Sequence, residues 1–311
     1  AYDAANLQKD IPAWVSVDQE GGKVARLRSP FTEWPAMALL GRSANRELSD
    51  RFGRALGREL RLVGVTLDFA PVLDVNTNPR NPVIGERSLS DDVNNVCSLG
   101  AAIVRSIQDI GVAACGKHFP GHGDTDVDSH KALPIVERTF DEMKEIELKP
   151  FEAAIAENVA AIMTAHVVYP GLDDSGPATL SKRILTGILR GELGFEGLIV
   201  SDDLEMAAIA QHMSLSAATV KAVSSGCDLL LVCGMEIERQ IEAIEALIYA
   251  VENSDVSIER IESSLARSRR IKERFLVSRQ GWRPPKQSEI DDVLGCEEHK
   301  SISDEMVRCA Q

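Results

Sequence analysis

Three histidines and three aspartates lie close together in one short segment of the chain, residues 117–130. The segment holds half of the chain's six histidines and follows the apolar run 111–115. Pro120, Gly121 and Gly123 predict irregular backbone where a strand meets its loop. Imidazoles and carboxylates exchange protons near neutral pH, so this composition indicates acid–base chemistry at a strand end.

Asp128 and His130 stand two residues apart within this segment. In a bent loop, this spacing can bring the carboxylate to the imidazole, which fixes the tautomer and raises the fraction of the ring that is protonated. The alternative is a surface loop histidine beside Lys131. The density of ionisable groups around the pair favours a functional role.

A zinc site is a second interpretation of the same segment, because it is rich in nitrogen and oxygen ligands. The possible ligands are His118, His122, Asp124, Asp128 and His130. Their spacing suits one compact tetrahedron poorly, and the ammonium of Lys117 would repel a cation. We therefore expect no metal and no cofactor.

A pair of aspartates, Asp202 and Asp203, follows the apolar run 197–201. If that run is a buried strand, Asp202 lies at its carboxyl end, ionised and directed into the site. Asp203 would then alternate to the other side and cap the following helix. The competing interpretation is that both aspartates cap that helix.

Short apolar runs alternate with longer amphipathic segments, which is typical of a parallel sheet with covered faces. The candidate strands are residues 13–17, 64–69, 111–115, 160–164, 197–201 and 227–232, and the candidate helices are residues 47–62, 92–110, 140–158 and 236–251. Polar residues follow most of the strands, and a barrel draws functional groups from many strand ends. They include Asp18, Asp74, Lys117, His166 and Asp202. We predict an α/β fold, a (β/α)8 TIM-type barrel, with an incomplete or irregular first strand because only six strands are convincing.

The domain organisation that we expect is one barrel over residues 1–278. Residues 279–311 contain Pro284-Pro285 and many charges, and predict a C-terminal extension that ends in a peripheral helix.

The bulk composition excludes some classes of partner. The net charge is −14 and no basic run is present, which argues against nucleic acid and against an anionic membrane surface. No apolar stretch approaches the roughly 18 to 20 residues that span a bilayer, and the first ten residues lack the pattern of an export signal. The six cysteines form no C-x-x-C pair and indicate reduced packing residues, so we expect a cytoplasmic protein.

Five blocks of sequence together resemble glycoside hydrolase family 3, and within it the β-N-acetylglucosaminidases of peptidoglycan recycling. They are residues 18–26 (DQEGGKVAR), 69–75 (FAPVLDV), 85–88 (GERS), 117–130 (KHFPGHGDTDVDSH) and 201–206 (SDDLEM). The blocks come in the family's order. Relatives carry several dozen residues ahead of the first block, whereas 17 precede it here, which is a second reason to expect an incomplete first strand.

The resemblance implies a site and a reaction. It makes Asp202 the nucleophile and His130 the proton donor with Asp128 as its partner, and it assigns substrate binding to Asp18, Arg26, Arg87, Lys117 and His118. The implied reaction is retaining, exo-acting cleavage of terminal β-linked N-acetylglucosamine from carbohydrates such as muropeptides. Two alternatives stay open: another β-glycosidase of the family, such as a β-glucosidase, and a catalytically impaired sugar-binding homologue.

Overall fold

The computed structural model describes residues 12–276 and 284–310. Its main sheet has six strands, each parallel to its neighbours and placed in chain order. Helices follow the strands, as expected of a (β/α)8 TIM-type barrel, and the predicted fold class is confirmed. Within the described residues, we find no helix with the length and apolarity needed to cross a bilayer.

The six strands of the main sheet correspond to the six predicted segments. They are β1 (Ser16–Val17), β4 (Leu67–Asp68), β5 (Ala113–Phe119), β6 (Ala161–Thr164), β9 (Leu198–Asp203) and β10 (Leu229–Leu231). Two antiparallel hairpins stand outside this sheet: β2 (Gln19–Gly21) with β3 (Val24–Ala25), and β7 (Val168–Tyr169) with β8 (Asp173–Pro177). The first strand is short, since only Ser16 and Val17 pair with β4.

Two strands extend further than predicted and carry site residues with them. Strand β5 continues through Lys117 and His118 to Phe119, and all seven of its residues are buried. Strand β9 includes Asp202 and Asp203 rather than ending at Ser201. The predicted site residues Lys117, His118 and Asp202 therefore lie within the carboxyl ends of strands, where hydrogen bonds of the sheet constrain the backbone.

The helices agree with the amphipathic segments, with one correction. Segment 140–158 is not one helix but two, because Pro150 in the first turn of the second helix has no N–H with which to continue the first. The helices are Met37–Ser43, Arg46–Leu62, Val93–Asp109, Phe140–Glu145, Lys149–Ala156, Ala207–Ala210, Leu215–Ser225, Ile237–Glu252, Ile258–Leu276, Gln287–Val293 and Glu297–Arg308, with a π-helix at Arg183–Glu192 and 3₁₀ turns at Gly85–Arg87 and Ala178–Leu180.

Capping and apolar spacing explain the helix predicted over residues 47–62. Asn45 accepts a hydrogen bond from the Leu48 amide at 3.1 Å and so begins the helix Arg46–Leu62. Leu48, Phe52 and Leu56 recur every four residues and are buried in the core.

The C-terminal segment packs against this same helix. The predicted boundary at residue 278 lies outside the described residues, and the predicted C-terminal helix is Glu297–Arg308. The ring of His299 is buried, and its Nδ1 lies 3.0 Å from Oε1 of Glu59. Glu59 also accepts from the amides of Thr32 and Gly295. The extension is therefore joined to the barrel by a buried polar contact.

Candidate active site

A cavity of about 590 Å³ opens at the carboxyl ends of the main strands. Seven of the eight predicted site residues line it: Asp18, Arg26, Arg87, Lys117, His118, His130 and Asp202. The eighth, Asp128, joins them through its hydrogen bond to His130. Glu20, His122, Ser129 and Asp203 are further polar members of the wall. The structure thus brings together residues that are more than 180 positions apart along the chain.

Asp202 is held near the end of β9 as a partly buried carboxylate. Its Oδ1 accepts the backbone N–H of Asp203 at 2.8 Å. Burial alone would raise the pKa of Asp202, but the imidazoles of His166 and His118, the Asp203 amide and Lys117 together bring that pKa below its usual value. Asp202 is therefore an anion at neutral pH, as a carboxylate nucleophile must be.

Asp128 and His130 form the pair that their spacing predicts. Asp128 Oδ1 lies 3.0 Å from Nδ1 of His130 and accepts its backbone N–H at 2.9 Å. Burial tends to raise the pKa of Asp128, and the two contacts with His130 outweigh it and lower that pKa. With Nδ1 turned to the carboxylate, Nε2 is the nitrogen that can face a substrate. The side chain of His130 is 63% exposed, so the pair stands at the rim of the cavity.

A largely buried ionic network forms another part of the cavity wall. Lys117 Nζ contacts Asp18 Oδ1 at 2.8 Å and Glu20 Oε1 at 2.6 Å. Arg87 binds both oxygens of Glu20, with Nη2 at 2.8 Å and Nε at 2.9 Å. Burial opposes ionisation of Glu20, yet Lys117 and Arg87 lower its pKa to about 2. Burial lowers the pKa of Lys117, but Glu20 and Asp18 raise it on balance, so Glu20, Arg87 and Lys117 are charged.

Glu20 lies in the first block of sequence, but the family resemblance predicts no role for it. The resemblance implies that Arg87 and Lys117 bind substrate, and in the structure both cations form ion pairs with Glu20. Asp18 and Glu20 are two residues apart, and side chains at such positions share a face of an extended strand. That alternation was the signal that could have found Glu20.

Gln19 explains how the first block keeps its shape. Its Oε1 accepts from the amides of Arg26 and Leu27 at 2.8 and 2.9 Å, and its Nε2 donates to the Leu27 carbonyl at 2.8 Å. The backbone N–H of Gln19 donates to Oδ1 of Asp68 at 3.0 Å. Gln19 therefore closes the β2–β3 hairpin and places Arg26 at the cavity.

Two other polar residues that follow strands, Asp74 and His166, support the residues of the wall. Asp74 is fully buried and accepts from His118 Nδ1 at 2.7 Å and from the amides of His118 and His122 at 3.1 and 2.6 Å. His166 is also buried, with Nε2 2.9 Å from the Asp203 carbonyl oxygen and Nδ1 2.7 Å from Thr179 Oγ1. These contacts orient the strand ends that carry His118 and Asp202.

The expectation for Asp203 was wrong. Its carboxylate caps no helix, because Met206 is the N-terminal cap of the helix Ala207–Ala210. Instead its Oδ1 accepts the amides of Glu205 and Cys233, both at 3.1 Å, and Asp203 also lines the cavity. Asp203 therefore ties the end of β9 to the segment that follows β10.

The side chains considered above as zinc ligands form hydrogen bonds with different partners. His118 contacts Asp74, His122 contacts Thr125 and Ser129, and Asp124 contacts Arg138. Over residues 12–276 and 284–310, no group of three or more histidine, cysteine, aspartate or glutamate side chains has an arrangement that could hold a metal ion.

The chain is similar to known proteins over most of its length. Residues 1–271 match the model of the glycosyl hydrolase family 3 N-terminal domain. The chain is 37% identical over 290 residues to beta-hexosaminidase A of Pseudoalteromonas piscicida, covering 86% of this chain and 48% of that protein. It is 42% identical over 231 residues to the beta-hexosaminidase of Thiobacillus denitrificans, covering 72% and 64% respectively.

A solved structure is similar over almost the whole chain. It is a glycoside hydrolase family 3 beta-N-acetylglucosaminidase from Paenibacillus sp., with a TM-score of 0.91 and 43% identity, and the match covers 96% of this chain and 56% of that one. The chain therefore spans about half to two thirds of the length of these relatives.

Proposed function

Because this chain belongs to glycosyl hydrolase family 3, we propose that it is a retaining, exo-acting β-N-acetylglucosaminidase. The observation that carries the proposal is one cavity that receives both the ionised Asp202 and the Asp128–His130 pair. A retaining glycosidase needs a carboxylate near the anomeric carbon and a separate proton donor near the leaving oxygen. The named hexosaminidases among the relatives support the choice of sugar.

In the first step, a carboxylate oxygen of Asp202 attacks the anomeric carbon. The bond from that carbon to the leaving oxygen breaks, and the proton on His130 Nε2 passes to the leaving oxygen. The products are a covalent glycosyl-enzyme on Asp202 and a neutral aglycone alcohol. Asp128 stabilises the imidazolium before the transfer, because its carboxylate contacts Nδ1 at 3.0 Å.

In the second step, the neutral His130 removes a proton from water, and the resulting oxygen attacks the anomeric carbon. The bond to Asp202 breaks and the carboxylate is regenerated, so the configuration is retained after two inversions. An imidazole suits this exchange, because it is uncharged after giving up its proton. A second carboxylic acid would become a second anion beside Asp202.

The buried ionic network holds the sugar during both steps. The side chain of Asp18 is 35% exposed and can accept hydrogen bonds from hydroxyl groups while Lys117 fixes its orientation. Arg26, Arg87 and His118 supply donors on the same wall. A network that is already paired before the substrate arrives loses little freedom on binding.

The proposal extends to the biological setting. We place the substrate among peptidoglycan fragments such as muropeptides and the protein in the cytoplasm, with a role in cell-wall recycling. The six cysteines are all free thiols, which supports a reducing compartment. The net charge of −14 supports an absence of nucleic acid and anionic membrane partners.

The test compares the aryl β-N-acetylglucosaminide with the aryl β-glucoside for the chain and for Asp202→Asn. We expect the first substrate to be preferred and the variant to lose activity on the order of 10⁴-fold, since the amide cannot act as the nucleophile. Asp92→Asn is the matched control, because Asp92 caps the exposed start of the helix Val93–Asp109 and asparagine caps equally well.

A slow fluorinated N-acetylglucosaminyl substrate identifies the nucleophile directly. We expect mass spectrometry to find one sugar on the peptide that contains Asp202. A sugar on another carboxylate, or full activity of Asp202→Asn, refutes the assignment. Preference for the glucoside indicates a β-glucosidase, and sugar binding without turnover indicates an impaired homologue.

A further inference from the structure

Ser129 stands between the two residues of the proposed acid–base pair but differs from His130 in its surroundings. Ser129 is 2% exposed, whereas the side chain of His130 is 63% exposed. The pair at the rim is thus attached to the body of the protein through a buried residue. The contacts of that residue decide where His130 stands relative to Asp202.

Ser129 contacts two different elements. Its Oγ lies 3.0 Å from Nε2 of His122, which comes three residues after the end of β5. Its carbonyl oxygen accepts the amide of Ala208 at 3.3 Å. Ala208 belongs to the short helix that follows β9, the strand that carries Asp202. Ser129 therefore connects the segment 128–130, which carries the proposed proton donor, to His122 and to the helix that follows the nucleophile's strand.

His122 is itself fixed from several sides. It is 2% exposed, and its amide donates to Asp74 Oδ1 at 2.6 Å. Its carbonyl accepts from Asn81 Nδ2 at 2.8 Å. Its Nδ1 lies 2.9 Å from Thr125 Oγ1. These contacts thus fix both the backbone and the ring of His122 independently of the contact between its Nε2 and Ser129.

One arrangement of protons satisfies these contacts. The hydroxyl of Thr125 donates to the carbonyl of His122 at 3.2 Å, so its oxygen can accept the proton on Nδ1 of the ring. Nε2 then carries a lone pair and accepts the hydroxyl proton of Ser129. Burial lowers the pKa of His122 to about 4, which keeps the ring neutral and the lone pair available.

We propose that His122 is a positioning residue for His130, acting through its hydrogen bond to Ser129. The inference deepens the proposed function and rests on it. His122 does not exchange protons with the substrate in this scheme. It holds the segment 128–130 so that the imidazole of His130 lies across the sugar from Asp202.

Positioning of this kind has a measurable consequence. A misplacement of about 1 Å can reduce a rate by roughly 10²-fold, and the reduction falls on the steps that use the misplaced group. Loss of the Ser129 contact should therefore affect protonation of the leaving group and spare attack by Asp202. A substrate whose leaving group departs without protonation therefore distinguishes a defect in proton donation from a defect in attack by Asp202.

The experiment uses Ser129→Ala, which removes one hydroxyl and leaves Asp128 and His130 in place. The control is Ser106→Ala, which removes a fully buried hydroxyl that donates to the Ala102 carbonyl at 2.8 Å inside the helix Val93–Asp109. Each variant is assayed with the 2,4-dinitrophenyl and the 4-methoxyphenyl β-N-acetylglucosaminide. The first leaving group needs no acid, and the second does.

For Ser129→Ala we expect kcat/KM on the methoxyphenyl substrate to fall about 10- to 100-fold and that on the dinitrophenyl substrate to change less than about threefold. Ser106→Ala should leave the ratio of the two unchanged. An unchanged ratio in Ser129→Ala, or an equal loss on both substrates, overturns the inference.

Hydrogen exchange separates this inference from the proposed function. If the wild-type chain cleaves neither substrate, the proposed function fails, and the positioning contact is judged by exchange alone. We expect amides of residues 125–133 to exchange faster in Ser129→Ala than in the wild type, and those in Ser106→Ala to match the wild type. Equal exchange in all three proteins contradicts a holding role for His122.

Discussion

Two buried glutamates near the cavity have opposite charge behaviour. Glu20 and Glu147 each have a side chain that is 1% exposed. The pKa of Glu20 is lowered to about 2, whereas burial raises the pKa of Glu147 to about 7. Burial is the largest influence on both, so their different partners account for the difference.

Glu20 contacts two cations, Arg87 and Lys117, and Lys117 also contacts Asp18. Lys117 and Arg87 together donate to both of its oxygens, at 2.6 to 2.9 Å. Glu147 shares one cation, since Arg138 Nε lies 3.2 Å from its Oε1 but donates its hydrogen to Asp124 Oδ2 at 2.9 Å. Among the described residues, neither oxygen of Glu147 has a hydrogen-bond partner. Hydrogen bonds that stabilise the charged form, rather than proximity alone, decide whether a buried carboxylate is ionised.

The two glutamates serve different parts of the site. Glu20 organises the wall that is proposed to bind the sugar. Glu147 lies against Gly121, at the start of the segment that leads to His130, and Tyr169 donates to the Gly121 carbonyl at 2.7 Å. The binding wall is therefore held by ion pairs, whereas Gly121, near the start of the segment that leads to His130, is held by packing against Glu147 and a neutral hydrogen bond from Tyr169.

The largest effect is expected from Glu20→Gln. The amide cannot balance the charges of Lys117 and Arg87, and removal of one partner from a buried ionic group typically costs about 3 to 5 kcal/mol. We expect the free energy of unfolding, measured with urea at pH 7, to fall by that amount. Sugar binding should weaken as well, because Lys117 then loses one of the two carboxylates that orient it.

The matched control is Glu273→Gln. Glu273 forms an exposed pair with Arg269 at 3.1 Å on the helix Ile258–Leu276, and such pairs contribute about 0.5 kcal/mol or less. Equal stability of Glu20→Gln and Glu273→Gln would show that the network does not depend on the charge of Glu20.

The comparison of the glutamates also shows what the sequence could predict. The six main strands and the members of the cavity wall followed from apolar runs, strand-end polar residues and the resemblance. Side-chain alternation would have added Glu20 beside Asp18. The opposite charge states could not be foreseen, because they depend on whether Arg138 is shared between Asp124 and Glu147, which only the tertiary structure reveals.

Other features that the sequence did not predict also depend on local or tertiary contacts. The division of segment 140–158 was signalled by Pro150, but a continuous amphipathic pattern outweighed it in the prediction. The contact of Ser129 with His122 spans a loop without regular periodicity, so no pattern indicates it. The contact of Ser129 with Ala208 joins segments that are far apart in the chain.

The second largest effect that we expect is a dependence of the free energy of unfolding on pH, which Glu147→Gln should remove. The folded pKa of Glu147 is about 7 and its ordinary value is 4.5, so between these pH values the folded state binds a proton that the unfolded state has lost. This group's contribution to stability is therefore present below about pH 4.5 and is lost as the pH rises to about 7. The loss should amount to about 3 kcal/mol, because each pKa unit corresponds to about 1.4 kcal/mol.

Glu147→Gln removes that proton equilibrium. We expect the variant and the wild type to be similarly stable at pH 5, and the variant to be more stable at pH 8 by about 2 kcal/mol. Urea unfolding of both proteins across this range measures the difference. A constant difference at every pH would mean that Glu147 is ionised throughout, like Glu20.

The smallest effect is expected from Asp124→Asn, which tests the sharing of Arg138 directly. The asparagine competes less strongly for the Arg138 Nε–H, so the guanidinium can turn to Glu147 and stabilise its charged form. The pKa of Glu147 should then fall by about one unit, which is roughly 1.4 kcal/mol of interaction. The measurement is the midpoint of the pH-dependent stability step, obtained from Asp124→Asn and from the double variant with Glu147→Gln. A step that stays near pH 7 would mean that burial alone sets the pKa of Glu147, and that the number of available hydrogen bonds is not what separates it from Glu20.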